Sequence, residues 1–284
     1  MKPIENKQGG QALLILVLVL VVALSVALSL VSRSITNLRT TTEEKESQQA
    51  LSAAEAGVEQ VLAGNGAKNG SFSSNTINFT ASQNTTYGTE ANGFLLKGGN
   101  LVEKDNGADV WLVPYPIGSG PADPHSSWTQ TVTFYWGDNS GACNNAAIEV
   151  VGVLGPAGSP QTTRYTFDPC RSARSGATAA NNFDAPSTCS PNCTINNKSF
   201  SYNASVSVSQ GLLLRVVPLY ANAFIGIKAI RCNGGTCEAF LPPQGTIITS
   251  TGTVGASKRK LIVFQGFPQL PIEFFAHSLF SPKN

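Results

Sequence analysis

Charge is scarce in this chain. Of its 284 residues only 13% are Asp, Glu, Lys or Arg, about half the ~25% usual in soluble domains. Ser, Thr, Asn and Gly take their place, a composition that suits an exported surface. The 19 basic and 17 acidic residues leave a net charge of +2, without the clustered basic surface that nucleic acid requires. The one dense basic run, Lys258-Arg259-Lys260, reads as a solvated strand edge. Histidine is nearly absent, with only His125 and His277, so a Ser-His-Asp triad would have to use one of them. The chain also lacks a G-x-S-x-G elbow, a phosphate-binding loop, an HExxH pair and a dinucleotide fingerprint. The expectation is a protein that is not an enzyme and uses no cofactor or metal. Asp138-Asn139-Ser140-Gly141 has a faint likeness to a calcium loop, but further carboxylates are missing and a turn is the better reading.

The lack of charge is most complete near the start. From Gln11 to Ser32 there is none over 22 residues. Ala12–Ser32 is long enough, as a helix, to cross ~30 Å of hydrocarbon. It exceeds the ~7–15 apolar residues of a secretory signal, although Ser25-Val26-Ala27 offers a signal-peptidase alternative. Proline is absent from Gln11 to Ala63, and the only glycine there is Gly57. One helix over these residues would run ~80 Å at ~1.5 Å per residue. Its second half turns wet at Arg33, Arg39, Glu43, Glu44, Lys45 and Glu46. Leu51, Ala54, Val58, Val61 and Leu62 then recur at helical spacing, a stripe suited to packing on a domain. Gly64-Asn65-Gly66 supplies the stop. Thr40-Thr41-Thr42 is the weak point, because β-branched residues lower helix propensity. The sequence therefore predicts a helix over 11–64, membrane-spanning over 12–32 and amphipathic over 33–63.

From residue 65 to 284 the pattern changes to period two and turns, without an internal repeat. Leu101–Lys104 and Val110–Val113 flank Asp105-Asn106-Gly107, which predicts a hairpin. "TQTVTFYW", "AIEVVGV", "TRYTF", "SYNASVSV", "GLLLRVVPLY" and "AFIGIKAI" read as further strands, and Gly245–Gln265 as a closing hairpin. About ten strands in a sheet or sandwich, joined to the long helix, give an α+β, lollipop-shaped expectation.

Cysteine is absent from the apolar segment. The six present are Cys143, Cys170, Cys189, Cys193, Cys232 and Cys237, an even count that favours disulfides in an exported chain. Cys189-x3-Cys193 and Cys232-x4-Cys237 close short loops, so the expected pairs are Cys232–Cys237, Cys189–Cys193 and Cys143–Cys170. The two short pairs together offer four thiolates for zinc as the alternative.

"GGQALLILVLVLVVALSVALSLVSRSITNL" followed by "QQALSAAEAGVEQVL" resembles the N-terminus of type IV pilin-like proteins. It is most similar to minor pilins with a PilX N-terminal domain, and also to the K-type minor pseudopilin of type II secretion. The resemblance covers roughly residues 1–64. It implies a leader over 1–10, cut by a prepilin peptidase between Gly10 and Gln11 on the cytoplasmic side, with the apolar helix kept. It also implies a single-pass protein of the cytoplasmic membrane, head outside, that later joins a cell-surface filament. Its partners would be other pilin-like subunits, reached through Leu13, Leu14, Ile15, Val17, Leu20, Val21 and Leu24. Most pilins carry glutamate at the fifth mature position, where this chain has Ile15. That departure fits a low-copy subunit at the tip or in initiation better than a repeated one. The roles open to such a filament are adhesion, motility, DNA uptake and secretion. The competing reading is a bitopic anchored binding protein or adhesin that never polymerises.

Overall fold

The computed structural model describes residues 9–64, 66–72, 76–115, 129–155, 161–172, 174, 181–233, 236–238 and 241–271. The architecture is α+β. One helix, α1 (Gly9–Gly64), precedes all the strands. In chain order these are β1 (Lys68–Phe72), β2 (Ile77–Tyr87), β3 (Phe94–Leu95), β4 (Ala108–Trp111), β5 (Thr129–Trp136), β6 (Ala147–Leu154) and β7 (Gln161–Phe167). Then follow β8 (Ser187–Ile195), β9 (Lys198–Ser209), β10 (Gly211–Leu219), β11 (Ile225–Asn233), β12 (Thr236–Glu238), β13 (Gly245–Val254) and β14 (Ser257–Gly266). The chain divides into two compact units, Met1–Ser82 with Ser250–Leu261, and Gln83–Thr249 with Ile262–Asn284.

In the first unit α1 is unbroken for 56 residues and stops at the glycine where the sequence predicts. The threonine run does not interrupt it. Thr40, Thr41 and Thr42 each donate their hydroxyl to the carbonyl four residues back, at 2.8–3.0 Å, which satisfies the side chains without freeing backbone groups. The partner of the helix is an antiparallel sheet in the order β1-β2-β13-β14. Ala50, Ala53, Ala54, Val58 and Val61 are buried on the helix side, with Phe79, Ala81 and Val254 on the sheet side. Small helix residues let the two backbones approach. β13 and β14 form the expected closing hairpin. Gly255 holds a φ of 55° at the first position of the two-residue turn, a conformation that favours glycine.

In the second unit two antiparallel sheets enclose one core, β4-β10-β6-β7 on one side and β12-β11-β5-β9-β8 with β3 on the other. Val132, Phe134 and Trp136 of β5 alternate into this core, beside Ala204, Val206 and Val208 of β9. The residues between them face away, and Thr133 and Ser205 share a hydroxyl bond of 2.8 Å across the strands. β6 and β10 do not alternate. Val150, Leu214 and Val216 enter the core, while Val151, Val153 and Leu213 pack on the opposite face with Trp111 and Val113. The indole N–H of buried Trp136 donates to the Ala146 carbonyl at 2.9 Å, so the largest core side chain carries no unmet donor.

One sequence expectation needs correction. The hairpin of Leu101–Lys104 with Val110–Val113 does not form. Val102 bridges Ala223, the Asp105 N–H donates to the Pro218 carbonyl at 2.8 Å, and β4 pairs with β10 in the register Trp111↔Leu213. β10 gives Trp111 and Val110 the apolar partners Leu213 and Leu214, where the Leu101–Lys104 arm has Glu103 and Lys104 to offer. The Cys189-Ser-Pro-Asn-Cys193 segment closes its short loop as expected. It lies inside β8, where the register against β9 shifts between Thr188 and Cys193. Pro191 has no N–H to give a ladder, and the intervening residues bulge from the edge.

Candidate functional site

Among the described residues the longest exposed apolar surface belongs to α1. Leu13–Val22, Leu24, Val26, Leu28, Leu30 and Val31 are all exposed, Leu13 at 67% and Ile15 at 61%. α1 is long and apolar enough to cross a membrane or act as a signal. Apolar side chains cover its whole circumference there, as hydrocarbon requires and water opposes. The Ser25 hydroxyl is met inside the helix, since its Oγ donates to the Val21 carbonyl at 2.8 Å. Leu13, Leu14, Val17 and Val21 line a shallow groove along one side with Leu18 and Val22. Leu20 and Leu24 stand exposed outside that groove, and Ile15 likewise. The sequence-derived face is thus part of a continuous apolar cylinder. The backbone at Gly10 and Gln11 is already helical, while residues 1–8 of the expected leader lie outside the described residues.

The lower part of α1 is fixed to its sheet by small residues and polar ties. A Cβ on Gly57 would meet Phe79 at 2.8 Å, with the hydroxyl of wholly buried Ser250 closer still. A Cβ on Gly252 would clash with the Ala50 carbonyl oxygen. Arg259, in the basic run at the β14 edge, donates Nε–H to Ser47 Oγ at 2.8 Å. The other two members, Lys258 and Lys260, are exposed.

In the second unit Cys143–Cys170 and Cys189–Cys193 are disulfides. The second takes both sulfurs that the zinc alternative needed from that pair. Cys232 and Cys237 stand opposite each other in the β11–β12 register, and their side chains lie outside the described ones. Asp138 is in a turn, as expected. Its carboxylate accepts the Ser140 N–H at 2.9 Å, and the hydrogen bonds from Ser140 hold its pKa below the usual value. His125 and His277 lie outside the described residues.

Three polar arrangements escaped the sequence reading. Gln244 lies beside β4, the edge of its sheet, and imitates a strand. The Trp111 N–H donates to Gln244 Oε1 at 2.8 Å, and Gln244 Nε2 donates to the Trp111 carbonyl at 2.8 Å. Asp109 and Arg215, both buried, hold the backbone of one residue. Asp109 Oδ2 accepts the Leu270 N–H at 2.8 Å, and Arg215 Nη1 donates to the Leu270 carbonyl at 2.7 Å. Burial pushes the Asp109 pKa up, opposed in part by the Leu270 N–H and by the Arg215 charge. Phe267 and Leu270 then cover Trp111, Val113, Val151, Val153 and Leu213. The third arrangement is Asp168 with Arg174, paired at 3.0 Å and almost fully buried. The only signal for it in the sequence is an aspartate two residues before Cys170, a spacing that lets a carboxylate bond nearby backbone. Tyr87 is held neutral. Burial, then the nearby Glu90 charge, push its pKa far up, and its hydroxyl donates to the Leu95 carbonyl.

Comparison with protein-family models, with curated proteins and with solved structures gives no match.

Proposed function

We propose that the protein is a minor, pilin-like subunit of a type IV pilus or related filament. It is made with a leader that a prepilin peptidase removes after Gly10. It rests in the cytoplasmic membrane through the apolar half of α1 and then enters a filament through that same surface. The observation that carries this reading is the continuity of α1. One helix presents apolar side chains all round from Leu13 to Val31 and, without a break, packs Ala50, Ala53, Ala54, Val58 and Val61 on a sheet. A simple anchor needs no such rigid connection. A filament subunit does, because the position of the packed part is then set by the position of the helix.

In a bilayer the apolar half is satisfied by lipid. Leaving it is offset only by contacts with similar helices, made through packing of the kind that joins helices in membranes. Ile15 brings no carboxylate to that packing. A buried carboxylate is costly unless paired, and its pairing would fix register in a repeated subunit. Without it the subunit docks by shape alone, which supports low copy number at the tip or in initiation. Quantitative proteomics of sheared filaments tests this. The expected result is the protein in the filament fraction, far below the major subunit, with fewer filaments when its gene is deleted. Confinement to the membrane fraction would mark a non-polymerising anchor instead, and the highest abundance in filaments would rule out the tip role.

A further inference from the structure

The Cys143–Cys170 disulfide joins residues 27 apart in sequence, and a second device joins the same two segments. Asp168 is wholly buried. Its Oδ1 accepts the Cys170 N–H at 2.8 Å and Arg174 Nη2 at 3.0 Å. Its Oδ2 accepts Arg174 Nε at 3.1 Å and Asn181 Nδ2 at 2.7 Å. Arg174 in turn grips both cysteine backbones. Its own N–H donates to the Cys170 carbonyl at 3.1 Å, and Nη1 donates to the Cys143 carbonyl at 3.2 Å. Nη2 reaches the Asn145 carbonyl at 2.5 Å, and the guanidinium sits 4.6 Å from the centre of the Tyr220 ring. None of these bonds involves a sulfur atom. The two cysteines also differ in access: Cys170 is buried and Cys143 is exposed.

We propose that the Asp168–Arg174 pair is a template for this disulfide, holding both cysteine backbones in place before the sulfurs join, with Cys143 meeting the oxidant and Cys170 resolving it. A buried ion pair is weak as a source of stability but costly to break, because either partner left alone is an unpaired buried charge. That cost makes the template all-or-none. Where it forms, the carboxylate holds the Cys170 N–H and the guanidinium holds the Cys143 carbonyl, while the Arg174 main-chain N–H meets the Cys170 carbonyl. The loop-closure entropy that a dithiol otherwise loses on oxidation is already spent.

The chemistry is ordinary thiol–disulfide exchange with a small disulfide such as oxidised glutathione. The exposed Cys143 thiolate attacks one sulfur of the oxidant. The oxidant's S–S bond breaks, and one glutathione thiolate leaves with the electron pair. The Cys170 thiolate then attacks the Cys143 sulfur and expels the second glutathione. In total two protein thiols lose two electrons and two protons, and the oxidant becomes two thiols. Asp168 and Arg174 are positioning residues throughout and touch no sulfur.

The test uses the full chain, reduced in detergent, re-oxidised in glutathione buffers, trapped by alkylation and mapped by mass. Cys189–Cys193 in the same molecule is the control, since neither Asp168 nor Arg174 touches it. Asp168→Asn and Arg174→Lys are each expected to lower the effective concentration of the Cys143–Cys170 pair on the order of tenfold, the scale of losing a charged hydrogen bond. The Cys189–Cys193 value should stay unchanged, and a glutathione adduct should accumulate on Cys143. In a Cys143→Ser, Cys170→Ser background the residue 170 amide should remain protected from exchange, and adding Asp168→Asn should release it. An unchanged Cys143–Cys170 value, an equal fall in both pairs, an adduct on Cys170, or an unprotected residue 170 amide would each overturn the proposal.

Discussion

Gly252 of β13 lies so close beneath Ala50 of α1 that a Cβ at this position would clash with the Ala50 carbonyl oxygen, and would stand 2.7 Å from the Ala54 nitrogen. Both obstacles are helix backbone, which has no rotamer by which to yield. Gly252→Ala should therefore cost at least the ~1–3 kcal/mol typical of overpacking and loosen the helix on its sheet. Limited proteolysis of the full chain in detergent would show it as new cleavage between residues 45 and 62. Resistance equal to that of the parent would mean that the two backbones are not in contact.

The Asp109 carboxyl gives a pH dependence whose sign follows from its burial. Its folded pKa is raised, so the folded chain binds more protons than the unfolded chain between the ordinary carboxylate value and the raised one. The stability contributed by this group is full below the ordinary value and is lost as pH rises through the folded one. Relative to Asp109→Asn, the parent should gain stability as the pH falls through that window. Parallel denaturant titrations measure the difference, and a difference that moves the other way would show Asp109 to be held ionised by Arg215.

Gln244 supplies both hydrogen bonds that the outer edge of β4 makes at Trp111. Gln244→Ala should leave a buried N–H and C=O unmet, at about 1–3 kcal/mol for each group. Gln244→Glu keeps the acceptor for the Trp111 N–H but, ionised, sets an oxygen against the Trp111 and Pro242 carbonyls that Nε2 had met, so it should cost at least as much as the alanine. Thermal unfolding of the three proteins checks the order, and equal melting points would show that water replaces the side chain.

Cys232 and Cys237 are directly opposed in register, the arrangement that the short Asn-Gly-Gly-Thr connection makes accessible. Peptide mapping without reduction should recover them as one cross-linked peptide, separate from those of the other two pairs. Recovery of both as alkylated free thiols would contradict the sequence reading of three disulfides.

The sequence made some of this architecture legible and concealed the rest for physical reasons. α1 was readable because Gln11 to Ala63 holds no proline and one glycine, its first 22 residues hold no charge, and Gly64 marks its end. β5 and β9 were readable because each has one polar face, so Thr131, Thr133, Ser205 and Ser207 alternate with core residues. β6 and β10 gave only unbroken apolar runs, which say that both faces are covered without saying by what. The cover proves to be Phe267 and Leu270, 48 and 51 residues beyond the end of β10. The false hairpin at Asp105-Asn106-Gly107 has the same origin, since turn chemistry is local and the choice of partner is not. Asp109–Arg215 and Gln244–Trp111 stayed hidden because each joins residues brought together only by the fold, whereas Asp168–Arg174 is local and left only the aspartate before Cys170 as a signal.

The central claim is that α1 is both the membrane segment and the assembly surface of a processed filament subunit. Determining the N-terminus of the protein taken from native membranes and from sheared filaments tests it most directly. The account predicts Gln11 as the first residue in both fractions, with Leu13 to Val31 intact behind it. A chain that begins at Met1, or one that begins beyond Ala23 with the apolar segment cut, would contradict it.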